Sequence, residues 1–266
     1  MTTDEKRIVG VEALLRWNHP ELGILHPKAF LHVSEGTALI HAIGTWVLRE
    51  ACRQCVSWHT DGHVALQVSV NLSSAQFKQH DLVATVFSVL HETGLPPDKL
   101  QLDLNESIIQ LTCDEALEQT AFSLTDQQVD VHCPFGTGRS CALHPLYAFK
   151  QAGIRLALDN FGTGYSSLGY LNHLPIDTIK ISPRFISCDQ GDQRESLLAA
   201  IIAMAGSLGL VSIAEGVENE QQFQMLKRLR CQRVQGYLTG RPLSANDFST
   251  LLNEQGRQAA SASTVN

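Results

Sequence analysis

Seven short segments with the residue alternation of β-strands are separated by segments with helical periodicity, and this pattern constrains the fold most. The strand-like segments cover residues 8–17, 64–71, 100–105, 154–158, 178–181, 210–214 and 233–235. Strands that alternate with helices along a chain are typical of parallel βαβ units. Several segments also have one polar face. Because crossover helices must cover the apolar face, we expect the polar face to line a barrel or a crevice. The pattern predicts an α/β fold of the (β/α) barrel type; a closed barrel needs eight strands, so one strand is missing, hidden or supplied by a partner.

The composition is that of a globular domain without a nucleic-acid-binding surface. The chain has 266 residues, is 44% hydrophobic and 18% charged, and has a formal net charge of −7. An acidic balance argues against DNA or RNA polymers as partners. Seven cysteines without a basic-then-apolar leader favour a reduced, cytoplasmic location. Residues 197–214 form a long apolar run, but Gly206 and Gly209 interrupt it, so we predict a buried helix and a strand rather than a membrane span.

Polar side chains lie on, or directly after, each predicted strand. They are Glu12, Asn71, Asp103, Asp159, Lys180, Glu215 and Gln235. The carboxyl ends of parallel barrel strands meet at one mouth, so these side chains are expected to converge. Their carboxylate and amide oxygens suit a hard cation such as Mg²⁺ or Mn²⁺, which activates water and neutralises a phosphoryl oxygen. The alternative is that each residue is a strand-end cap or a structural ion pair.

The segment from Leu156 to Leu168 has the strongest local signal. An apolar strand ends at Asp159, a turn contains Gly162 and Gly164, and two serines then open a helix. Ligands bind at such strand ends in α/β proteins. The alternative is an ordinary βα loop in which Asp159 caps the helix.

Motifs along nearly the whole chain resemble the EAL domain family. The family signature matches Glu12-Ala13-Leu14 within Val11-Glu-Ala-Leu-Leu-Arg-Trp17. Further matches, in the family's order, are Val70-Asn-Leu-Ser73, Asp159-Asn-Phe-Gly-Thr-Gly-Tyr-Ser-Ser-Leu168, Lys180-Ile181, Ala214-Glu-Gly-Val-Glu218 and Gln235-Gly-Tyr237. The resemblance implies a modified TIM barrel and a bacterial phosphodiesterase of second-messenger signalling. Such enzymes use Mg²⁺ or Mn²⁺ to hydrolyse cyclic di-GMP to linear pGpG.

The resemblance also implies roles for individual residues. It implies metal ligands at Glu12, Asn71, Asp103, Asp159 and Asn160. It implies catalytic residues at Lys180, near the reacting water, and Glu215, which assists that water. It implies substrate contacts at Arg16, Glu218 and Gln235. It implies that Glu106 holds the loop that begins at Phe161.

Two substitutions in the metal set suggest an alternative function. Asn160 stands where the family has a second aspartate, which removes one charge from the set. Asp103 stands where the family has a glutamate, and its side chain is one methylene shorter. The alternative is a degenerate, non-catalytic EAL domain that acts as a cyclic di-GMP receptor or a protein-interaction module.

The expected domain boundaries also depart from the family. We predict a barrel domain over residues 1–254, an insertion near residues 121–145 and a disordered tail over residues 255–266. The family's first strand is missing before Glu12, although residues 127–133 are a candidate for a hidden strand. An open barrel exposes strand edges, so we expect a homodimer or a partner domain to complete it.

Overall fold

Seven parallel strands form one curled sheet. The structure is a computed structural model that describes residues 1–34, 38–108, 143–163, 171, 174–186 and 191–263. In sheet order the strands are β1 (Gly10–Ala13), β4 (Gln67–Leu72), β5 (Leu100–Asn105), β6 (Arg155–Phe161), β7 (Thr178–Ile181), β8 (Val211–Ala214) and β9 (Arg233–Val234). Each strand pairs in parallel with the next. The predicted barrel-type α/β fold with a strand missing is confirmed.

Helices cover the outer face of the sheet. They are α1 (Pro27–Ser34), α2 (Ala38–Thr60), α3 (Ser74–Phe77), α4 (Leu82–Thr93), α5 (His144–Gln151), α6 (Gly191–Ser207), α7 (Glu220–Arg228) and α8 (Ala245–Ser263). The helix α4 ends at Gly94, which has the left-handed conformation common at helix ends. The helix α7 begins at Asn219, whose side chain forms a capping box with Gln222. No helix in the described part of the chain combines the length and apolar character that crossing a membrane requires.

The strands divide the interior into an apolar layer and a polar layer. On β5, Leu100, Leu102 and Leu104 are fully buried. Because side chains alternate along a strand, Gln101 and Asp103 lie on the opposite face, inside the curled sheet. The helices therefore pack on a leucine-rich surface, whereas the barrel interior carries the polar groups.

Two sequence-based expectations about elements are wrong. The strand predicted over residues 8–17 ends at Ala13, and Trp17–His19 forms an antiparallel hairpin with Gly23–Leu25, here called β2 and β3. Trp17 pairs with Leu25 in this hairpin and packs edge-on against Phe30 of α1. Residues 255–263, predicted to be disordered, continue α8. This part of the chain is rich in alanine and glutamine, which favour helix.

The sheet has an open seam between its first and last strands. Among the described residues β1 and β9 do not pair with each other. Instead, Thr2 forms an antiparallel bridge with Arg233, and the Val234 amide donates to the Met1 carbonyl at 2.9 Å. Most of the predicted insertion, including the candidate strand at 127–133, lies outside the described residues.

Candidate active site

Four carboxylates surround the ammonium group of Lys180 at the carboxyl end of the sheet. The Nζ atom lies 2.8 Å from Glu215, 3.0 Å from Asp103, 3.2 Å from Glu12 and 3.5 Å from Asp159. These five residues, called the Lys180 cluster below, come from β1, β5, β6, β7 and the residue that follows β8. The structure therefore brings together five of the seven strand-end residues around one atom.

Burial and the charges of neighbouring groups shift the pKa values of the Lys180 cluster in opposite directions. Burial acts to lower the pKa of Lys180, but the carboxylates, Asp103 first among them, raise that pKa well above its usual value. Burial raises the pKa of Glu215 to about 7, against the effect of Lys180 and with a further contribution from Asp159. Burial also raises the pKa of Asp103. Lys180 is therefore charged, and Glu215 exchanges its proton near neutral pH.

Glu12 is held by the two remaining strand-end residues. The Asn71 amide donates to Glu12 Oε1 at 2.6 Å, and the Gln235 amide donates to Oε2 at 2.5 Å. Burial acts to raise the pKa of Glu12, but Lys180 and these two amides outweigh it and lower that pKa. Glu12 is therefore a fixed, ionised carboxylate, and Asn71 and Gln235 position it.

Asp103 lies deeper than the other acids, and its side chain is completely buried. The Gln101 amide donates to Asp103 Oδ1 at 2.8 Å, and Lys180 occupies Oδ2 at 3.0 Å. Gln101 was not identified from the sequence. Its position two residues before Asp103, on the same face of β5, is the signal that would have identified it.

Asp159 and Asn160 lie near the carboxyl end of β6, where the backbone of Asn160 is left-handed. Asn160 has a positive φ of 55°, and its amide donates to Asp159 Oδ2 at 2.8 Å. Asp159 Oδ1 is buried and accepts no hydrogen bond within the described part of the protein. One carboxylate oxygen at the mouth thus lacks a partner apart from the long contact with Lys180.

The donor atoms at this mouth suit a divalent cation, although no preformed metal geometry is present. Among the described residues no group of three or more His, Cys, Asp or Glu side chains is arranged to hold a metal. Lys180 supplies the positive charge for those carboxylates instead. The oxygen donors of Glu12, Asn71, Asp159 and Asn160 nevertheless have the chemistry that Mg²⁺ and Mn²⁺ prefer, and Oδ1 of Asp159 accepts no hydrogen bond and has only the 3.5 Å contact with Lys180.

Glu106 fixes the start of the loop that follows β6. The Gly162 amide donates to Glu106 Oε1 at 2.6 Å. Gly162 has a φ of 89°, and a Cβ there would come within 2.6 Å of the Phe185 ring. Only glycine fits this position. The loop contacts Glu106 through the backbone amide of Gly162. Residues 164–170 of the loop lie outside the described residues.

Arg16 and Glu218 do not join the Lys180 cluster. The Arg16 guanidinium donates to the Leu15 carbonyl at 2.7 Å, and the Glu218 side chain is exposed. Both residues lie in the segments that follow the carboxyl ends of β1 and β8, and neither forms an ion pair with a described residue. The structure therefore leaves the two charges available beside the mouth.

A cavity of about 650 Å³ opens next to the Lys180 cluster. Its lining includes the polar residues Glu12, Asp159, Asn160, Glu215 and Gln235 and the apolar residues Trp58, Phe248 and Leu251. In the same lining the Arg241 guanidinium lies 5.3 Å from the centroid of the Tyr237 ring. Asp103 does not reach this cavity. The size and the mixed lining are those of a site for a small organic ligand.

Comparison with known proteins identifies the family. The family model described as EAL domain matches residues 1–242. The chain belongs to the EAL domain family. The bifunctional diguanylate cyclase/cyclic di-GMP phosphodiesterase MucR of Pseudomonas aeruginosa is 39% identical to this EAL domain over 242 residues, which are 91% of this chain and 32% of MucR.

Another relative and a solved structure support the assignment. The cyclic di-GMP phosphodiesterase NbdA of the same species is 37% identical over 234 residues, which are 88% of this chain and 27% of NbdA. A solved structure of the PaMucR phosphodiesterase in complex with c-di-GMP superposes with a TM-score of 0.78 at 37% identity, and the match covers 91% of this chain and 88% of that one. The chain spans about a third or less of the length of the two curated relatives.

Proposed function

We propose that this EAL domain hydrolyses cyclic di-GMP to linear pGpG and depends on Mg²⁺ or Mn²⁺. The observation that carries the proposal is the presence of Glu12, Asp159 and Glu215 in the lining of a cavity large enough for a nucleotide. The similarity to MucR and NbdA, both described as cyclic di-GMP phosphodiesterases, supports the substrate.

The oxygen donors of Glu12, Asn71, Asp159 and Asn160 are the proposed metal ligands. A bound divalent cation supplies Lewis-acid polarisation of a phosphoryl oxygen and of water. Gln235 keeps the Glu12 carboxylate in place through its 2.5 Å hydrogen bond. Asp103, which resembles a ligand position of the family, is proposed instead to position Lys180, because both of its oxygens are engaged below the mouth.

Glu215 is the proposed general base. A general base works best when its pKa lies near the operating pH, and burial raises the pKa of Glu215 to about 7. Lys180, 2.8 Å from Glu215, orients that carboxylate and balances its charge. Arg16 and Glu218 are proposed to contact the phosphate and polar groups of the substrate, since both charges remain available at the mouth.

A second candidate function is that of a non-catalytic cyclic di-GMP receptor. The neutral Asn160 and the deeply buried Asp103 favour it, because both reduce the negative charge available to a cation at the mouth. A receptor would bind the same nucleotide in the same cavity but would release no pGpG.

We also propose that the barrel domain, over residues 1–254 with an insertion near 121–145, acts in the cytoplasm and that a second copy or a partner domain covers the open seam. The lack of pairing between β1 and β9, bridged at β9 only by the short segment that contains Met1 and Thr2, supports this part of the proposal.

The experiment that tests the proposed function is incubation of the purified protein with cyclic di-GMP and Mn²⁺ or Mg²⁺, followed by chromatographic detection of pGpG. Glu12→Gln is expected to abolish the product. Glu195→Gln, which changes an exposed carboxylate paired with Arg228 on the outer helices, is the matched control. Nucleotide binding measured in parallel separates the enzyme from the receptor.

A further inference from the structure

The loop that follows β9 presents an aromatic ring and a guanidinium to the large cavity. Tyr237 and Arg241 both belong to the lining of the 650 Å³ cavity. The Arg241 guanidinium lies over the Tyr237 ring, 5.3 Å from its centroid. Tyr237 is 59% exposed although it lines the cavity. Aromatic rings exposed in this way, with a cation beside them, are surfaces on which nucleobases stack.

Close backbone packing fixes this loop. A Cβ at Gly236 would lie 2.3 Å from backbone atoms of Val217, so only glycine allows the two segments to approach. The Val217 amide donates to the Gln235 carbonyl at 3.1 Å, and the Leu238 amide donates to the Val217 carbonyl at 3.0 Å. The backbone on both sides of Tyr237 is therefore anchored, and its ring needs little ordering before a ligand binds.

Arg241 is the one cationic side chain in the described lining of this cavity. The other charged side chains of that lining are the carboxylates of Glu12, Asp159 and Glu215. Among the described residues no carboxylate forms an ion pair with Arg241. An aromatic ring that holds a guanidinium by its face leaves the N–H donors at the guanidinium edge for another acceptor.

We propose that Arg241, positioned by Tyr237, determines the specificity of this cavity for guanine, an inference that rests on the proposed function because guanine is the base of cyclic di-GMP. A guanidinium donates two parallel hydrogen bonds to O6 and N7 of guanine, which are both acceptors. Adenine carries an amino group in place of O6, so two donors would oppose each other. The exposed ring beside Arg241 favours a base over a phosphate, since only a base has a flat face that stacks.

The experiment compares the affinities of the full chain for cyclic di-GMP and cyclic di-AMP. Titration calorimetry in chelator measures both affinities without consuming the nucleotide. If binding requires Mn²⁺, the ratio of the two kcat/KM values replaces the ratio of affinities. We expect the parent protein to prefer cyclic di-GMP. Arg241→Gln is expected to reduce this preference by about 5- to 150-fold, which is the discrimination that one bidentate contact supplies.

Further variants separate guanine recognition from other roles of these side chains. Arg241→Lys keeps the charge but not the paired N–H donors, so it is expected to lose the preference as Arg241→Gln does. Tyr237→Phe keeps the ring and is expected to keep the preference, whereas Tyr237→Leu is expected to weaken it. Arg228→Gln changes an exposed arginine that pairs with Glu195 on the outer helices, and this matched control is expected to behave as the parent protein does.

An equal loss of affinity for both nucleotides in Arg241→Gln would overturn the proposal, because it would show that Arg241 binds a phosphate or supports the loop. Full recovery of the preference in Arg241→Lys would overturn it as well, since a single charge would then be sufficient. A parent protein that binds both nucleotides equally would refute the guanine specificity alone. A parent protein that neither binds nor hydrolyses cyclic di-GMP would overturn the proposed function, and this inference with it.

Discussion

The Nζ atom of Lys180 lies 3.0 Å from Oδ2 of Asp103, and both side chains are almost completely buried. Three further carboxylates reach the same ammonium group. Lys180 is thus the centre of the mouth, and Asp103 is its deepest counter-ion. The predictions below follow from this arrangement.

Lys180→Met is expected to destabilise the domain by about 3–5 kcal/mol, because removal of one partner leaves buried charges uncompensated. Urea unfolding in chelator measures the loss, and Lys227→Met, at an exposed position on α7, is the control. Mn²⁺ is expected to recover part of the stability of Lys180→Met by replacing the missing positive charge. A loss as small as that of the control would contradict the central position of Lys180.

Gln101→Leu is expected to lower the free energy of unfolding by about 1–3 kcal/mol, because it removes a hydrogen bond to a buried carboxylate. Gln67→Leu serves as the comparison. Gln67 lies on the same face of the neighbouring strand β4, and its amide donates to the Asp98 carbonyl. Chemical denaturation measures both. Equal effects of the two substitutions would show that Gln101 has no special role in holding Asp103.

The stability of the metal-free domain is expected to depend on the protonation of Glu215. Its pKa is about 7 in the folded protein and near the ordinary 4.5 when unfolded, so the folded state binds the proton more tightly. The resulting stabilisation is fully present below pH 4.5 and is lost as the pH rises through about 7.

Melting temperatures in chelator across this pH range test that dependence. Glu215→Gln should lose less stability than the parent protein as the pH rises, because the amide does not titrate. Identical pH profiles for the two proteins would contradict the raised pKa of Glu215.

Asn160→Asp is expected to raise the hydrolytic activity or to lower the metal concentration that it requires, because it adds a formal charge beside Asp159. Asn160→Ala is expected to lower the activity and to raise the metal concentration that it requires. Alanine at a φ of 55° is also expected to lower the free energy of unfolding by about 1–2 kcal/mol, because asparagine is tolerated in this conformation and alanine is not. The measurement is pGpG release across an Mn²⁺ titration, with cyclic di-GMP binding measured separately. If the Asp variant binds the nucleotide but releases no pGpG at saturating Mn²⁺, Asn160 does not limit activity.

The alternation of strands and helices was sufficient to predict the seven-stranded sheet and the strand-end positions of Glu12, Asp103 and Asp159. The alternation of side chains along a strand determines which face each side chain occupies, whatever its neighbours are. The alternation does not determine which of several nearby groups pairs with a buried carboxylate. The pairing of Asp103 with Gln101 and Lys180 follows from side-chain length and depth, which the sequence does not specify.

The hairpin of β2 and β3 and the extension of α8 were also beyond the sequence pattern. The alternation over residues 8–17 continues past Ala13, but from Trp17 onward the chain pairs with residues 23–25 instead of with the sheet. Residues 255–263 have no apolar periodicity that would indicate a packed helix, although their backbone continues α8. Intrinsic helix propensity determines the structure where the hydrophobic pattern gives no signal.

The measurement that tests the central claim most directly is pGpG release from cyclic di-GMP by the parent protein, by Glu12→Gln and by Glu195→Gln. We expect product with Mn²⁺ or Mg²⁺ from the parent protein and from Glu195→Gln, and none from Glu12→Gln or in chelator. Undiminished release in chelator or from Glu12→Gln would contradict the metal-dependent mechanism. Tight cyclic di-GMP binding without any pGpG from the parent protein would identify a receptor instead of an enzyme.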